Sequence, residues 1–115
     1  MSRTPDPPVL LGELEHLVLL AVARLGDDAY AVSVRDEIHA RAGVDLTRGA
    51  IYVTLDRLER KGLLASAFSD PTPERGGKAR RCFAIKPAGA RALADTRRVL
   101  TSLWDGAVPS PERAS

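Results

Sequence analysis

The 115-residue sequence contains a single cysteine, Cys82. One thiol cannot form a disulfide within the chain, so packing and hydrogen bonds alone must hold the fold. A chain of this kind fits a reducing compartment, and we therefore expect a cytoplasmic protein. Cys82 itself has two interpretations, a buried strand residue or a redox switch. The first is favoured because free cysteine behaves as a small apolar side chain.

Long apolar runs are also missing from the sequence. No stretch reaches the roughly 18 residues that a membrane-spanning helix needs. The first residues lack a basic segment followed by an apolar one, which is the pattern of a secretory signal. We therefore expect neither a membrane span nor a leader peptide.

Groups of residues that carry catalysis or bind metal are not apparent. His16, His39 and Cys82 lie in three separate segments, whereas a metal sensor needs clustered imidazoles and thiolates. We find no nucleophile–base pair, phosphate-binding loop or metal-ligand spacing. The sequence therefore predicts a protein that is not an enzyme and that requires no cofactor or metal.

Charge is nearly balanced overall, with 17 basic and 15 acidic residues and a net charge of +2. Its distribution is uneven. Residues 1–45 carry four basic and eight acidic side chains, residues 46–81 carry eight and four, and residues 82–115 carry five and three. The concentration of positive charge in the middle segment favours a surface that binds phosphates, although a solvated charged face would have the same composition.

Segment 47–61, inside this basic region, has the pattern of an amphipathic helix. Ile51, Leu55 and Leu58 recur at helical spacing and predict one buried stripe. Thr47 is suited to cap the first turn with its hydroxyl. The other sides carry small residues, an aromatic hydroxyl and cations, which are the groups that contact base edges and phosphates in DNA. The candidate DNA-binding residues here are Thr47, Arg48, Gly49, Tyr52, Val53, Arg57, Arg60 and Lys61.

A second predicted helix precedes this segment. Tyr30, Val34 and Ile38 are spaced for one face of a helix over residues 29–42, and a short connector then leads into segment 47–61. Two helices joined in this way, the second basic on its outer side, are typical of a helix-turn-helix. Tyr30 is either a core tyrosine or a phosphate contact, and we include it among the DNA-binding candidates.

A β-hairpin is predicted directly after the helix-turn-helix. Residues 63–68 and 79–85 have strand character, and residues 69–78 between them are rich in Pro, Gly and charge. A hairpin in this place is a wing, although an ordinary surface hairpin would look similar. The cations expected to reach the sugar-phosphate backbone are Arg75 and Lys78 at the tip, with Arg80 and Arg81 on the returning strand.

The first predicted helix, residues 10–25, is apolar on more than one side. A helix of this kind needs more than one covering partner, and in a small chain the second cover is expected to be another subunit. The predicted main stripe is Leu14, Leu17, Val18, Ala21, Val22 and Leu25, with Leu10, Leu11, Leu19 and Leu20 elsewhere.

The last predicted helix, residues 87–104, also has an apolar stripe and can cover the first helix across a two-fold axis. Trp104 is the only tryptophan. It either packs at the dimer axis or stacks against a flat ligand, and packing is favoured. The candidate dimerisation residues are Leu14, Leu17, Leu93, Leu100, Leu103 and Trp104, with Trp104 also the candidate effector contact.

The predicted fold is mainly α with a small β-hairpin, a winged helix-turn-helix followed by a C-terminal dimerisation helix. We divide the chain into a disordered arm (residues 1–9), the DNA-binding domain (10–86), the dimerisation helix (87–106) and a flexible tail (107–115).

Three motifs resemble the PadR family of transcriptional regulators: LGELEHLVLLAVARLGDDAYAVSVRDEI, LTRGAIYVTLDRLERKGLL and GGKARRCFAIKPAGARAL. The resemblance runs from about Leu11 to Trp104 and implies a winged helix-turn-helix that dimerises through its C-terminal helix. It also implies repression relieved by a small molecule or another signal, with Tyr30, Tyr52 and the wing cations near DNA. The sequence departs from the family at Cys82, where an aromatic is frequent, and at Lys86, where Thr is frequent.

The predicted function is sequence-specific binding of duplex DNA by a homodimer at an inverted repeat, as a repressor, with a small hydrophobic or aromatic effector as a further partner. Two alternatives remain open. One is a winged-helix module that binds protein, which the basic outer face of segment 47–61 disfavours. The other is an architectural DNA binder that takes no effector.

Overall fold

A computed structural model of the chain describes residues 7–69, 76, 79–107 and 111. The described residues form four α-helices, one short 3₁₀ turn (Gly26–Asp28) and a two-stranded antiparallel sheet. This mainly helical architecture with one hairpin confirms the predicted fold class. The elements in chain order are α1 (Glu13–Leu25), α2 (Ala31–Ala42), α3 (Arg48–Arg60), β1 (Leu64–Phe68), β2 (Arg81–Ile85) and α4 (Pro87–Trp104).

Helix α1 begins at Glu13, three residues later than the apolar pattern predicted. Gly12 occupies the N-cap position in extended conformation, and the carboxylate of Glu15 accepts a hydrogen bond from its N–H at 3.1 Å. A side chain three residues into a helix that satisfies the free N–H of the cap is a strong start signal. The preceding leucines therefore lie before the helix rather than in its first turn.

The hydrophobic core is formed by one side of each of the first three helices together with the hairpin. Leu19, placed outside the main stripe by the sequence analysis, is fully buried, whereas Leu14 is exposed. The buried face of α1 is therefore rotated towards Val18, Leu19 and Val22, because α2 and α3 both pack on that side. The other large, fully buried side chains are Val34, Ile51, Leu55, Leu58 and Leu64.

The turn between α2 and α3 sets the angle of the second helix. Gly43 ends α2 in the left-handed conformation, with φ 67°, and its N–H donates to the carbonyl of His39 at 2.9 Å. A positive φ is accessible to glycine at little cost, so the chain can turn sharply here. Thr47 then caps α3, its hydroxyl accepting from the N–H of Ala50 at 3.1 Å, as the sequence predicted.

The hairpin is tied to the segment before α2 by a backbone hydrogen bond. Strands β1 and β2 pair in the register Leu64 with Ile85 and Phe68 with Arg81. The N–H of Phe83 donates to the carbonyl of Ala29 at 2.9 Å, which ties the middle of β2 to the segment before α2. Because Phe83 is also buried in the core, the wing has a fixed base beside the helix-turn-helix.

Helix α4 packs on the domain along its first half and extends beyond it along its second half. Ala92 and Thr96 are buried, whereas Leu103 and Trp104 are 70% and 65% exposed. The Thr96 hydroxyl also accepts a hydrogen bond from the N–H of Leu11, which fastens the segment before α1 to this helix. Within the part of the chain that the structure describes, no helix is both long and apolar enough to cross a membrane.

Candidate nucleic-acid interface

The outer face of α3 is open to solvent along its whole length. Gly49, Val53, Arg57 and Arg60 are all exposed, and a line through them runs opposite the buried stripe. Val53 among them is 53% exposed. Sequence reasoning placed these residues on the outer face, and the structure agrees.

Asp56 also lies on this outer face, and the sequence analysis did not consider it. Its side chain is 51% exposed, and its carboxylate lies 3.0 Å from the guanidinium of Arg81 on β2. Helical spacing alone could have revealed it, because Asp56 follows Gly49 by seven residues and Val53 by three. The face is therefore a mixture of cations, small residues and one acid that is neutralised by the wing.

A polar cleft separates the start of α2 from α3 and the wing. Its walls include Tyr30, Asp36, Arg48, Tyr52 and Arg80. The guanidinium of Arg80 stacks over the ring of Tyr30, with 4.4 Å between its Cζ atom and the ring centroid. This stacking orders an otherwise flexible cation at a small cost in rotamer freedom. Arg81 lines the same cleft, so the structure brings together five of the side chains predicted to contact DNA.

Arg81 also lines the cleft, but its guanidinium makes different contacts from that of its neighbour Arg80. It is on the same side of β2 as buried Phe83, and its guanidinium lies 4.8 Å from that ring. One nitrogen donates to Glu59 on α3 at 2.6 Å and the other pairs with Asp56. The alternation of side chains along a strand accounts for this difference, since residues 81 and 83 share a face and residue 80 does not.

Electrostatics inside this cluster favour the charged forms. The Ser66 hydroxyl donates to Glu59 at 2.7 Å, and this bond, together with Arg81, holds the pKa of Glu59 below its usual value despite partial burial. Partial burial disfavours the charged form of Arg81, but hydrogen bonds to Glu59 and Asp56 outweigh it and raise the pKa of Arg81. Both shifts favour the ionised forms of Glu59 and Arg81.

Lys61 forms an ion pair that the sequence analysis did not foresee. Its ammonium lies 2.6 Å from the carboxylate of Glu15 on α1. Glu15 is nearly buried, and burial by itself would raise its pKa. The pKa is nevertheless below its usual value, because Lys61 and the Gly12 N–H donate hydrogen bonds to the carboxylate and the charge of Arg57 favours its ionised form. A buried carboxylate needs such a partner, so Lys61 has a structural role whether or not it also meets a phosphate.

Two predicted wing cations, Arg75 and Lys78, lie outside the described residues. Their assignment to DNA binding stays a prediction from the sequence. Among the described residues there is no group of three or more His, Cys, Asp or Glu side chains that could hold a metal ion. Cys82 is half-buried on β2 with a free thiol.

A second exposed surface lies between α1 and the projecting half of α4. It is a groove lined by His16 and Leu20 of α1, by Leu93, Leu100 and Trp104 of α4, and by three further residues of α4. The structure thus joins three of the predicted dimerisation residues, whereas Leu14 and Leu17 of α1 do not line the groove. Leu103 extends the apolar surface at the end of the helix.

Comparison with known proteins identifies the family. Residues 19–95 match the profile of the "Transcriptional regulator PadR-like family". This chain belongs to that family. It is 41% identical over 64 residues to the transcriptional regulator Rv3488 of Mycobacterium tuberculosis H37Rv, and this match covers 56% of each chain. The chain thus spans little more than half the length of that curated relative.

Solved structures of PadR proteins share the fold. A PadR family transcriptional regulator from Eggerthella lenta DSM 2243 is 29% identical and superposes with a TM-score of 0.65, covering 82% of this chain and 81% of that one. A PadR family regulator from Clostridium difficile R20291 is 20% identical with a TM-score of 0.65, covering 83% and 97%. These likenesses confirm the family resemblance and the winged helix-turn-helix in this PadR-like chain.

Proposed function

We propose that this PadR-like protein binds duplex DNA sequence-specifically through α3 and the wing. The observation that carries the proposal is the continuous exposed face of α3, which carries Arg57 and Arg60. Arg48 at the start of the same helix and Arg80 of the wing line the cleft beside it. A helix with small and cationic side chains on its free face fits the major groove, while flanking cations meet the phosphates.

Each side chain has a proposed role that follows from its position. Arg48 and Arg57 read guanine edges, because a guanidinium can donate two hydrogen bonds to one guanine. Tyr30, Tyr52 and Arg80 hold the backbone from the cleft, and they are joined by the wing-tip cations. We assign Lys61 a smaller part in phosphate binding, since its ammonium is already paired with Glu15.

We propose further that the functional unit is a homodimer. The exposed Leu100, Leu103 and Trp104 of α4, beside Leu20 of α1, form an apolar surface that a second copy can cover. Two copies related by a two-fold axis would recognise an inverted repeat with half-sites about one helical turn apart. Bound at a promoter, such a dimer would act as a repressor.

Relief of repression would require a ligand that binds one dimer geometry better than another. The groove beside Trp104 is the proposed effector site, because a flat or apolar molecule could stack on the indole there. Such a site can be tested by titrating the protein with small aromatic compounds while following Trp104 fluorescence. The titration is then repeated with the protein bound to DNA. Quenching without any change in DNA affinity would contradict an effector role.

DNA binding itself is tested with the duplex upstream of the protein's own coding region and a random duplex of equal length. We expect tighter binding to the first, and Arg57→Ala should weaken it by about tenfold, in line with the 1–3 kcal/mol of one base-reading pair. Arg91→Ala is the matched control, because Arg91 is an exposed arginine on α4 away from the interface. Equal, weak affinity for both duplexes would refute sequence-specific binding.

A further inference from the structure

The wing and α3 are joined by a compact network of charged and polar groups. Arg81 on β2 donates to Glu59 at 2.6 Å and pairs with Asp56 at 3.0 Å, so it contacts two successive turns of α3. Ser66 on β1 donates to the second oxygen of Glu59 at 2.7 Å. Both strands of the hairpin are therefore connected to the same carboxylate on α3.

Arg80, just before β2, and Arg81, its first residue, both line the cleft but make different contacts. Arg80 is exposed and stacks on Tyr30 at the cleft, where its guanidinium remains accessible. Arg81 has a side chain only 28% exposed, packed on Phe83 and paired with two carboxylates. A guanidinium with two bound carboxylates has few donors left for a phosphate.

We propose that Arg81 is a positioning residue for DNA binding: it fixes the angle between wing and α3 and does not itself contact phosphate. The proposal rests on the proposed function and deepens it. When the wing is held by Arg81, Arg80 is presented at a set distance from the groove that α3 enters. Arg81 also neutralises Asp56, which would otherwise place an unpaired negative charge on the face of α3 that meets DNA.

The simpler alternative treats Arg81 as one more cation of the wing. The two interpretations predict different salt dependence, because each phosphate contact contributes about one unit to the slope of log K against log salt. We therefore expect Arg80→Gln to lower both the affinity and the slope by about one unit. Arg81→Gln should lower the affinity by roughly tenfold and leave the slope unchanged.

Removing an acid of the network gives a sharper test. On charge alone, Glu59→Gln makes the surface more positive and should tighten DNA binding. If Glu59 anchors Arg81 and Ser66, the same variant should weaken binding several-fold, because the wing loses its fixed angle. Asp36→Asn is the matched control, since Asp36 lines the cleft beside Arg48 and Arg80 and the change removes one charge there too. The control should tighten binding.

Coupling between the two arginines provides a third readout. If Arg81 positions Arg80, the loss from Arg80→Gln should be at least about threefold smaller in an Arg81→Gln background than in the wild type. Arg81→Lys keeps one ion pair and should recover part of the affinity. Amide hydrogen exchange of β1 and β2 in the free protein, expected to be faster in Arg81→Gln and Glu59→Gln, measures the anchoring without DNA.

The outcomes separate this inference from the function on which it depends. If the wild-type protein binds no duplex specifically, the proposed function is wrong, and so is the role of Arg81 in DNA binding. If the wild type binds but Arg81→Gln lowers the slope as Arg80→Gln does, Arg81 is a phosphate contact and the inference is wrong. It is equally wrong if Glu59→Gln tightens binding as Asp36→Asn does, or if Arg81→Gln binds like the wild type.

Discussion

Position 89 is glycine because the backbone of the wing's base leaves no room for a side chain. A Cβ atom there would overlap the carbonyl oxygen of Leu63 and lie 2.9 Å from a side-chain carbon of Ile85. The same carbonyl accepts a hydrogen bond from the N–H of Lys86 at 3.0 Å. The start of α4 is thus pressed directly onto the segment that leads from α3 into β1.

Gly89→Ala should therefore destabilise the fold by about 1–3 kcal/mol, the usual cost of forcing an extra methyl into a packed site. The intrinsic helix preference of alanine acts in the opposite direction by roughly 0.5–1 kcal/mol. Urea unfolding at neutral pH measures the balance. Gly49→Ala is the matched control, because a Cβ at this helical glycine meets nothing within 4 Å. The control should gain stability, and a gain in both variants would show that the close approach at 89 does not exist.

Ion pairs to two other elements hold the C-terminal part of helix α3. Arg81 of β2 contacts its carboxylates, and Glu15 of α1 pairs with Lys61 just after its last turn. Apolar packing along the buried stripe sets the depth of the helix in the core. The ion pairs also fix the orientation of the helix, because they join its C-terminal part to two different elements, α1 and β2.

Acid should weaken the contact at Lys61. Because the pKa of Glu15 lies below its ordinary 4.5 in the folded protein, the unfolded chain binds the proton first. The free energy of unfolding should therefore fall as the pH drops through 4.5 towards the folded pKa, and the contribution is complete above that range. Glu15→Gln should lower stability at pH 7 and flatten this acid dependence, as measured by urea unfolding at a series of pH values.

Glu13→Gln provides the comparison for that measurement, because Glu13 lies exposed in the first turn of the same helix. Its acid dependence should follow that of the wild type. Identical curves for the wild type and Glu15→Gln would contradict a stabilising ion pair between α1 and α3.

Periodicity predicted the elements well, and local exceptions account for what it missed. The stripe of Ile51, Leu55 and Leu58 predicted both the helix α3 and its buried side. The start of α1 was predicted too early because apolar composition continues through Leu10 and Leu11, while the cap made by Glu15 decides where the helix begins.

Contacts between elements were harder to predict from the sequence. Lys61 and Glu15 are 46 residues apart, and Arg81 and Glu59 are 22 apart. A charged side chain on a helix has many candidate partners until the fold places it beside one of them. The inward direction of Arg81 could have been predicted, since strand alternation pairs it with the apolar Phe83.

The molecule as a whole presents two unlike surfaces. One is the cationic face formed by α3 and the wing, and the other is the apolar surface at the free end of α4. Exposed Leu103 and Trp104 together make an apolar surface that a soluble protein normally covers. In a symmetric dimer both copies would use this same surface, so the free-energy contribution of each residue in the contact would be made twice.

If the protein is the proposed homodimer, Leu103→Glu should shift it from dimer to monomer. Burial of one leucine contributes about 1.5–3 kcal/mol, and a two-fold contact loses this twice, so the dimer Kd should rise by roughly 100-fold or more. Sedimentation velocity over a range of concentrations measures it, with circular dichroism to confirm that the helices remain. Ala90→Glu adds the same charge at an exposed position on another side of α4 and should stay dimeric.

The same variants connect assembly to DNA binding. If both copies must engage an inverted repeat, Leu103→Glu should lose affinity for the full site. The variant should bind a single half-site as weakly as the wild type does, because each protomer keeps its own α3 and wing. Ala90→Glu should bind the full site like the wild type. A monomeric wild type, or a Leu103→Glu variant that binds the full site with unchanged affinity, would show that one protomer suffices and that the apolar end of α4 has another purpose.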